Sequence, residues 1–459
     1  MGEAKRRSPE ESRLKDDPPG PAAPRRHLGL AHATLLALGM IMTTDTLKTA
    51  PTVALNVGGW MFYGLWILGG LISMIGALCY VEMATAFPDP GGDYHFLRRA
   101  YGAEVGLLFA WSRFSVMHTG WIALMAFMFA DYAAALAPMG PVAHTVFALA
   151  AVAALTALNL APVRAGFLTQ AGLVALVALG FAAVGVAALA LGVEGRWPAA
   201  APMATAMPSR AQVSVALIYI FLAYGGWSDA ATLSAEVRSE RRGMLAAILG
   251  SLGALMALYL LLNGAMIAGL GSAGLAHSTA PAADLMARAF GPAGAALIVA
   301  VVGVSAIASI NSTLIVGART TYAAARDTPA LALLGQWDGR RGVPARAVLA
   351  EGGFAMVLVV AGGFATSGFN AMVDYMTPVY WLFIALSMGA LMLLRWRHPD
   401  APRPVRTPFY PLFPLMFLAV ALYMLAASLA DLGAGALWGA GVMAFGALLV
   451  AVLRLRKTA

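Results

Sequence analysis

The stretch that decides the fold is GMIMTTDTLKTAP, residues 39–51, which places polar side chains inside a long apolar segment. The surrounding residues 28–55 are apolar enough to cross a bilayer, which requires about 20 residues. Leu, Ile and Val would suit such a segment, yet this one carries an acid and a base, Asp45 and Lys48. An ionisable residue within a membrane is costly and predicts a function.

The composition agrees with a membrane protein. The 459 residues are 60% hydrophobic and 11% charged, with a mean hydropathy of +0.77. A soluble domain is about half apolar and a quarter charged. Cys79 is the only cysteine and the seven histidines are scattered, so we expect no disulfide framework, no metal site and no cofactor.

Apolar runs of sufficient length recur along the whole chain and predict an all-α polytopic membrane protein with twelve transmembrane helices. The predicted spans are 28–55, 59–86, 104–136, 142–161, 167–192, 211–236, 243–271, 292–325, 346–364, 371–395, 409–430 and 435–454. Residues 1–27 are polar, charged and Pro-rich, which predicts a disordered tail.

The basic residues indicate the orientation. If the N-terminus is cytoplasmic, 25 of the 30 Lys and Arg residues lie on the cytoplasmic side, and the outer loops contain only Arg196, Arg210 and Arg288. Cytoplasmic loops carry such an excess, so both termini are predicted to be cytoplasmic. The charge of +8 is therefore a topology signal, and no nucleic-acid partner is expected.

A second interrupted span is FLAYGGWSDAATLSAEV, residues 221–237, in the sixth predicted helix. Matching breaks in two halves of a chain indicate a transporter site, and an offset of five spans inverts the second copy across the membrane. Spans 1–5 and 6–10 are thus predicted to form an inverted repeat, with two accessory helices following. The alternative for Gly225 and Gly226 is close helix packing.

Several motifs resemble one family. GALCYVEMATAFPDPGGDYHFLRRAYG (76–102), AYGGWSDAATLSAEVRSERR (223–242), INSTLIVGARTTYAAARD (310–327) and LRWRHPDAPRPVRTPFYP (394–411) resemble, in order, conserved stretches of the amino acid–polyamine–organocation superfamily. AWSRFSVMHTGWIAL (110–124) resembles the third helix of bacterial permeases related to L-type amino acid transporters.

The resemblance implies a leucine-transporter-like five-plus-five fold with broken helices 1 and 6. It implies a secondary-active amino acid permease that works by alternating access, and no enzyme activity. Residues 28–395 would form the transport core, 396–455 a loop with helices 11 and 12, and 456–459 a cytoplasmic tail. The implied substrate-binding residues are Thr43, Thr44, Asp45, Thr46, Tyr224, Gly225 and Gly226, with Trp227 capping the site from outside.

Asp45 departs from the family, which usually has glycine at its position. Its carboxylate would bind a cationic amine or carry a proton; alternatively it caps the half-helix that starts near Leu47 or pairs with Lys48, which we expect to extend toward the interface. Asp45 motivates an alternative function, import of a polyamine or another organic amine. A non-transporting membrane sensor is the alternative from another class.

The remaining candidates concern coupling and gating. Ser305, Ser309 and Ser312 share a helix face, where related folds hold sodium between helices 1 and 8; alternatively they bond their own helix carbonyls. Glu82 is predicted to be an inner-gate or packing residue, and His118 a titrating or a core histidine. Val177 replaces the lysine of some proton-coupled relatives, so coupling to Na+ or H+ stays open. With no cysteine between spans 3 and 4, no disulfide-linked heavy chain is expected.

Overall fold

The computed structural model describes residues 43–89, 92–160, 167–198, 207–228, 241–326, 331–339 and 342–458. Apart from an isolated bridge between Asp338 and Val343, regular structure in these residues is helical. The predicted tail 1–27, residues 28–42 of the first span and residues 229–236 of the sixth lie outside the described residues.

The helices follow the predicted spans closely. They are α1 Thr46–Asn56, α2 Gly59–Ala86, α3 Asp93–Tyr101, α4 Ala103–Leu136, α5 Pro141–Asn159, α6 Phe167–Val193, α7 Arg210–Ala223, α8 Arg241–His277, α9 Pro281–Arg326, α10 Ala345–Gly362, α11 Gly368–Arg397, α12 Leu412–Asp431 and α13 Ala434–Thr458. Ten of the described helices are long and apolar enough to cross a membrane. Helices α1 and α7 lie within the first and sixth predicted spans, and α7 is a shorter apolar helix of 14 residues.

Glycines with positive φ set the limits of two long helices. Gly271 (φ 75°), the predicted last residue of span 7, interrupts α8, and Gly291 (φ 68°), one residue before the predicted start of span 8, interrupts α9. This backbone conformation is open to glycine and strained for other residues. The helical backbone is therefore kinked at Gly271 and at Gly291, near the end of α8 and the start of α9.

The sequence did not predict α3, a short helix between the second and third spans. It starts after Gly92 (φ 50°) and ends at Gly102 (φ 101°). Its buried residues are Phe96, Leu97 and Ala100, while its last turn carries two arginines. Because α3 is only nine residues long, a search for membrane spans of about 20 residues does not detect it.

Helix α4 lies at the centre of the packing, against α5, α9, α10 and α11. Residues Arg113–His118 within it form a π-helical segment, an irregularity often found at functional sites. Helix α1 packs instead against α7 and α8. Large apolar side chains such as Leu179, Leu261 and Val357 are more than 60% exposed, as expected of surfaces that face lipid rather than water.

Candidate functional site

Residues Thr43–Asp45 precede α1, whose first residue is Thr46. Thr44, Asp45 and Thr46 are each no more than 2% exposed. Asp45 is the N-cap residue by position, and its carbonyl accepts from the N–H of Lys48 (2.8 Å) and Thr49 (2.9 Å). Its side chain makes no capping hydrogen bond, so the helix-cap interpretation of the carboxylate is wrong.

The Asp45 carboxylate is only half satisfied. Its Oδ1 accepts a short hydrogen bond from Thr43 Oγ1. Its Oδ2 is buried and accepts no hydrogen bond from the residues that the structure describes. Since burying a carboxylate without partners is strongly unfavourable, this oxygen is suited to a cationic ligand group.

Lys48 is not the partner of Asp45. Its Nζ lies 2.7 Å from Asp131 Oδ2 on α4 and also donates to the carbonyl of Thr279. Asp131 Oδ1 is 2.9 Å from His144 Nε2 on α5. The side chain of Lys48 is 8% exposed, so the prediction that it extends to the interface is wrong. The ion pair ties α1 to the central helix α4.

The second break lies at Tyr224–Gly226. Helix α7 ends at Ala223, and Gly226 has φ 84°, a conformation that favours glycine. A Cβ on residue 225 would lie 2.9 Å from the carbonyl oxygen of Leu222. Both glycines are thus required by the turn itself, which goes beyond the helix-packing alternative.

Tyr259 of α8 connects the two breaks. Its hydroxyl donates to the carbonyl of Ala223 (3.0 Å), the last residue of α7, and its ring lies within electrostatic range of Asp45. Its ring centroid is 5.3 Å from that of Tyr224 and 5.8 Å from that of Trp66. A cluster of three aromatic rings, one of them within electrostatic range of an acid, is an environment that attracts organic cations.

Trp227 packs away from this aromatic group. Its ring lies 5.2 Å from Tyr80 of α2 and 5.6 Å from Phe417 of α12, both edge to face. A Cβ at Gly76 would lie 2.9 Å from the Trp227 ring. Trp227 is 3% exposed and fills the space between α2 and α12.

The serines of α9 divide into two kinds. Ser305 Oγ accepts from Thr44 Oγ1 (3.1 Å), and Ser309 Oγ accepts from Trp121 Nε1 of α4 (2.9 Å). Ser312 Oγ donates to the carbonyl of Ser309 (3.0 Å), as the alternative interpretation predicted. The structure therefore brings Ser305 to the segment that precedes α1 and leaves Ser312 within its own helix.

Glu82 occupies a separate, fully bonded site. Its two oxygens each lie 2.6 Å from Arg395 nitrogens, and its Oε2 also accepts from the backbone N–H of Thr407 (2.7 Å). Arg403 Nε is 3.5 Å from Oε1. Glu82 thus joins α2 to the end of α11 and the loop beyond it.

His118 belongs to a third buried group, which includes an acid that the sequence analysis missed. Arg113 Nε donates to His118 Nε2 (3.2 Å), and His118 Nδ1 faces Glu351 Oε1 of α10 at 3.4 Å. Glu351 and Asp131 both lie inside predicted spans. An ionisable residue within a span was the signal that could have found them.

A multi-pass helical protein in which one helix begins at the buried Asp45 segment and packs against another that ends at Ala223, before a glycine turn, has features expected of a secondary transporter. The model of the family described as "Amino acid permease" matches residues 28–452. The chain belongs to this family, within the amino acid–polyamine–organocation superfamily, and it is not an enzyme.

Curated relatives are amino acid transporters. The chain is 26% identical over 434 residues to human b(0,+)-type amino acid transporter 1, covering 93% of this chain and 87% of the relative. It is 26% identical over 423 residues to human large neutral amino acids transporter small subunit 2, covering 89% and 77%. The mouse b(0,+)-type transporter is 25% identical over 411 residues.

Proposed function

We propose that this protein is a secondary-active amino acid permease that works by alternating access. The observation that carries the proposal is the packing of α1, which begins directly after Asp45, against α7, whose last residue Ala223 precedes the turn at Tyr224–Gly226. Helix ends expose N–H and C=O groups that carry partial charges, and such backbone is tolerated in a membrane only beside protein or a wet cavity. These groups suit the carboxylate and amino groups of an amino acid.

The five-plus-five inverted repeat, the twelve-helix topology and the substrate-binding residues are part of this proposal. Thr43, Thr44 and Thr46 would supply backbone donors, and the turn at Tyr224–Gly226 would supply carbonyls. The two serines whose hydroxyls contact α1 and α4, Ser305 and Ser309, are the candidates for a coupling-ion site. We also propose a cell-membrane location with both termini cytoplasmic, from the distribution of Lys and Arg.

Counterflow in proteoliposomes tests the proposal. The purified protein is reconstituted with an unlabelled amino acid inside, and uptake of the labelled amino acid is followed for a panel of neutral, cationic and acidic substrates. Trans-stimulated uptake of at least one amino acid is expected, because binding on each side shifts the population between two states. Binding without counterflow would instead indicate a membrane sensor.

A second candidate function, import of an organic amine, is favoured by one observation. Asp45 Oδ2 is buried without a hydrogen-bond partner among the described residues, and Asp45 lies within electrostatic range of Tyr259. A cationic amine would neutralise this carboxylate, whereas a substrate carboxylate near it would be repelled. Counterflow of an amino acid against its decarboxylated amine separates the two functions.

A further inference from the structure

The buried group formed by Arg113, His118, Thr321 and Glu351 lies outside the proposed substrate site. Arg113 and His118 are the first and last residues of the π-helical segment of α4, Thr321 is on α9, and Glu351 is on α10. Glu351 is 0% exposed and His118 8%. Helix interiors in a membrane rarely carry three ionisable groups together unless they serve proton or ion movement.

The hydrogen bonds determine which group can take a proton. Arginine only donates, so His118 Nε2, which receives Arg113 Nε at 3.2 Å, must be unprotonated. The proton of the neutral imidazole is then on Nδ1, which faces Glu351 Oε1 at 3.4 Å. A second proton on His118 would have to enter at Nε2, against the donors of Arg113.

Glu351 is the group left to titrate. Its Oε2 accepts from Thr321 Oγ1 (3.2 Å), and its Oε1 accepts no hydrogen bond within the described part of the chain. A Cβ at Gly317 would collide with Oε1 and lie 3.0 Å from His118 Nδ1. Glycine at this position leaves the space in which the carboxylate and the imidazole approach each other.

Arg113 lies within electrostatic range of both His118 and Glu351. From α9 comes the hydroxyl of Thr321, and from α11 comes Tyr375, whose hydroxyl donates to the carbonyl of Ser115 (2.7 Å). On the side facing α13, the indole N–H of Trp111 of α4 donates to the carbonyl of Val442 of α13 (3.0 Å).

We propose that Glu351 is a proton-binding site, and that His118, held as a neutral spacer by Arg113, lets the carboxylate bind and release one proton during the transport cycle. Water supplies the proton, an O–H bond forms at Oε1, and the same proton returns to water on release. The coupling part of this proposal rests on the proposed transport function.

Contacts in the structure connect this proton site to the substrate site. Trp121, one helical turn beyond His118, donates to Ser309 of α9, and Ser305, one turn earlier on α9, accepts from Thr44. Protonation of Glu351 removes a negative charge that acts on Arg113 of α4. Because α4 contacts α9 through Trp121 and Ser309, and α9 contacts the Asp45 segment through Ser305 and Thr44, this change is connected to the substrate site.

The test combines two readouts on reconstituted protein. Infrared difference spectra between acid and neutral pH report the C=O band of protonated carboxyls, and the Glu351→Gln variant should lose one such band. Imposing an inside-alkaline pH gradient on wild-type proteoliposomes should drive accumulation, and Glu351→Gln should reduce this at least about tenfold while counterflow stays within about threefold. Glu104→Gln, at an exposed pair with Arg454, is the matched control and should change neither readout.

His118 variants test the assignment of the proton to Glu351. In His118→Gln the amide oxygen accepts from Arg113 and the amide N–H faces Glu351, so gradient-driven accumulation should persist, whereas His118→Ala should abolish it. Loss of accumulation in His118→Gln with the carboxyl band intact would place the proton on histidine and overturn the proposal. An unchanged spectrum in Glu351→Gln would also overturn it, whether or not counterflow is observed. Absence of counterflow in the wild type would overturn the proposed transport function instead.

Discussion

Glu82 and Asp45 are both carboxylates with 0% exposure, yet their surroundings differ completely. Glu82 receives two hydrogen bonds from Arg395 and one from the N–H of Thr407. Asp45 receives one from Thr43, and its other oxygen has no partner among the described residues. Buried polar groups in native proteins are normally satisfied, so an exception indicates a place where a ligand completes the set.

The difference assigns a separate role to each acid. The Glu82 site holds α2, α11 and the following loop together, and the stacking of Arg395 on Tyr410, 3.7 Å from the ring centroid, adds to it. At the Asp45 site, which lies at the N-terminus of α1, one carboxylate oxygen has no hydrogen-bond partner among the described residues. Four predictions, from the largest expected effect to the smallest, test whether this contrast is real.

Glu82→Ala is expected to have the largest effect on stability. Removing one partner of a buried ion pair leaves the other charge uncompensated, which costs roughly 3–5 kcal/mol. Thermal unfolding of the detergent-purified variant should show a clear loss relative to wild type. The exposed pair Glu104–Arg454 offers the control, since Glu104→Ala should cost about 0–1 kcal/mol. Equal stability of the Glu82→Ala and Glu104→Ala variants would contradict the structural role assigned to Glu82.

Asp45→Asn should leave unfolding almost unchanged but reduce binding of a cationic amine. A hydrogen bond to a charged group contributes about 1.5–3 kcal/mol, or roughly 10- to 150-fold in affinity. Thermal-shift titrations with an amino acid and its decarboxylated amine, on wild type, Asp45→Asn and Asp45→Gly, measure this effect. If both ligands bind all three proteins alike, Asp45 takes no part in substrate choice.

The Lys48–Asp131 pair should contribute a smaller and measurable coupling. Lys48→Met and Asp131→Asn are each expected to destabilise the protein, and the double variant should be less unstable than the sum of the two. An interaction energy of about 0.5–3 kcal/mol is typical of contacting residues. A double-mutant cycle on thermal unfolding checks this, and strict additivity would contradict the contact between α1 and α4.

Thr44→Val and Ser305→Ala should have the smallest effects. Each removes one partner of a neutral hydroxyl pair, worth about 1 kcal/mol or roughly fivefold in substrate affinity. Uptake measured in Na+ and in K+ buffers separates a coupling-ion role from a packing role. Ser312→Ala is the control, because the Ser312 hydroxyl donates to the Ser309 carbonyl within its own helix. A loss of Na+ dependence in that variant would argue against Ser305.

The sequence determined the helical framework of this protein. The predicted span 59–86 coincides with α2, and glycines at 271 and 291 interrupt the long helices next to the predicted ends. Length and hydropathy are sufficient for this because the thickness of the bilayer sets the length of each span. The break after Ala223 was also readable, since Gly226 supplies a conformation that other residues avoid.

Only the tertiary structure decided which polar groups meet. Arg395 and Glu82 are separated by 313 residues, and Thr44 and Ser305 by 261. Hydropathy identifies a buried charge but contains no information about the rotation and depth of the neighbouring helix. For this reason Lys48 was assigned to the interface although it pairs with Asp131, and Glu351 went unnoticed although it faces His118. The partner of a buried charge depends on helix register, which packing of the whole bundle sets.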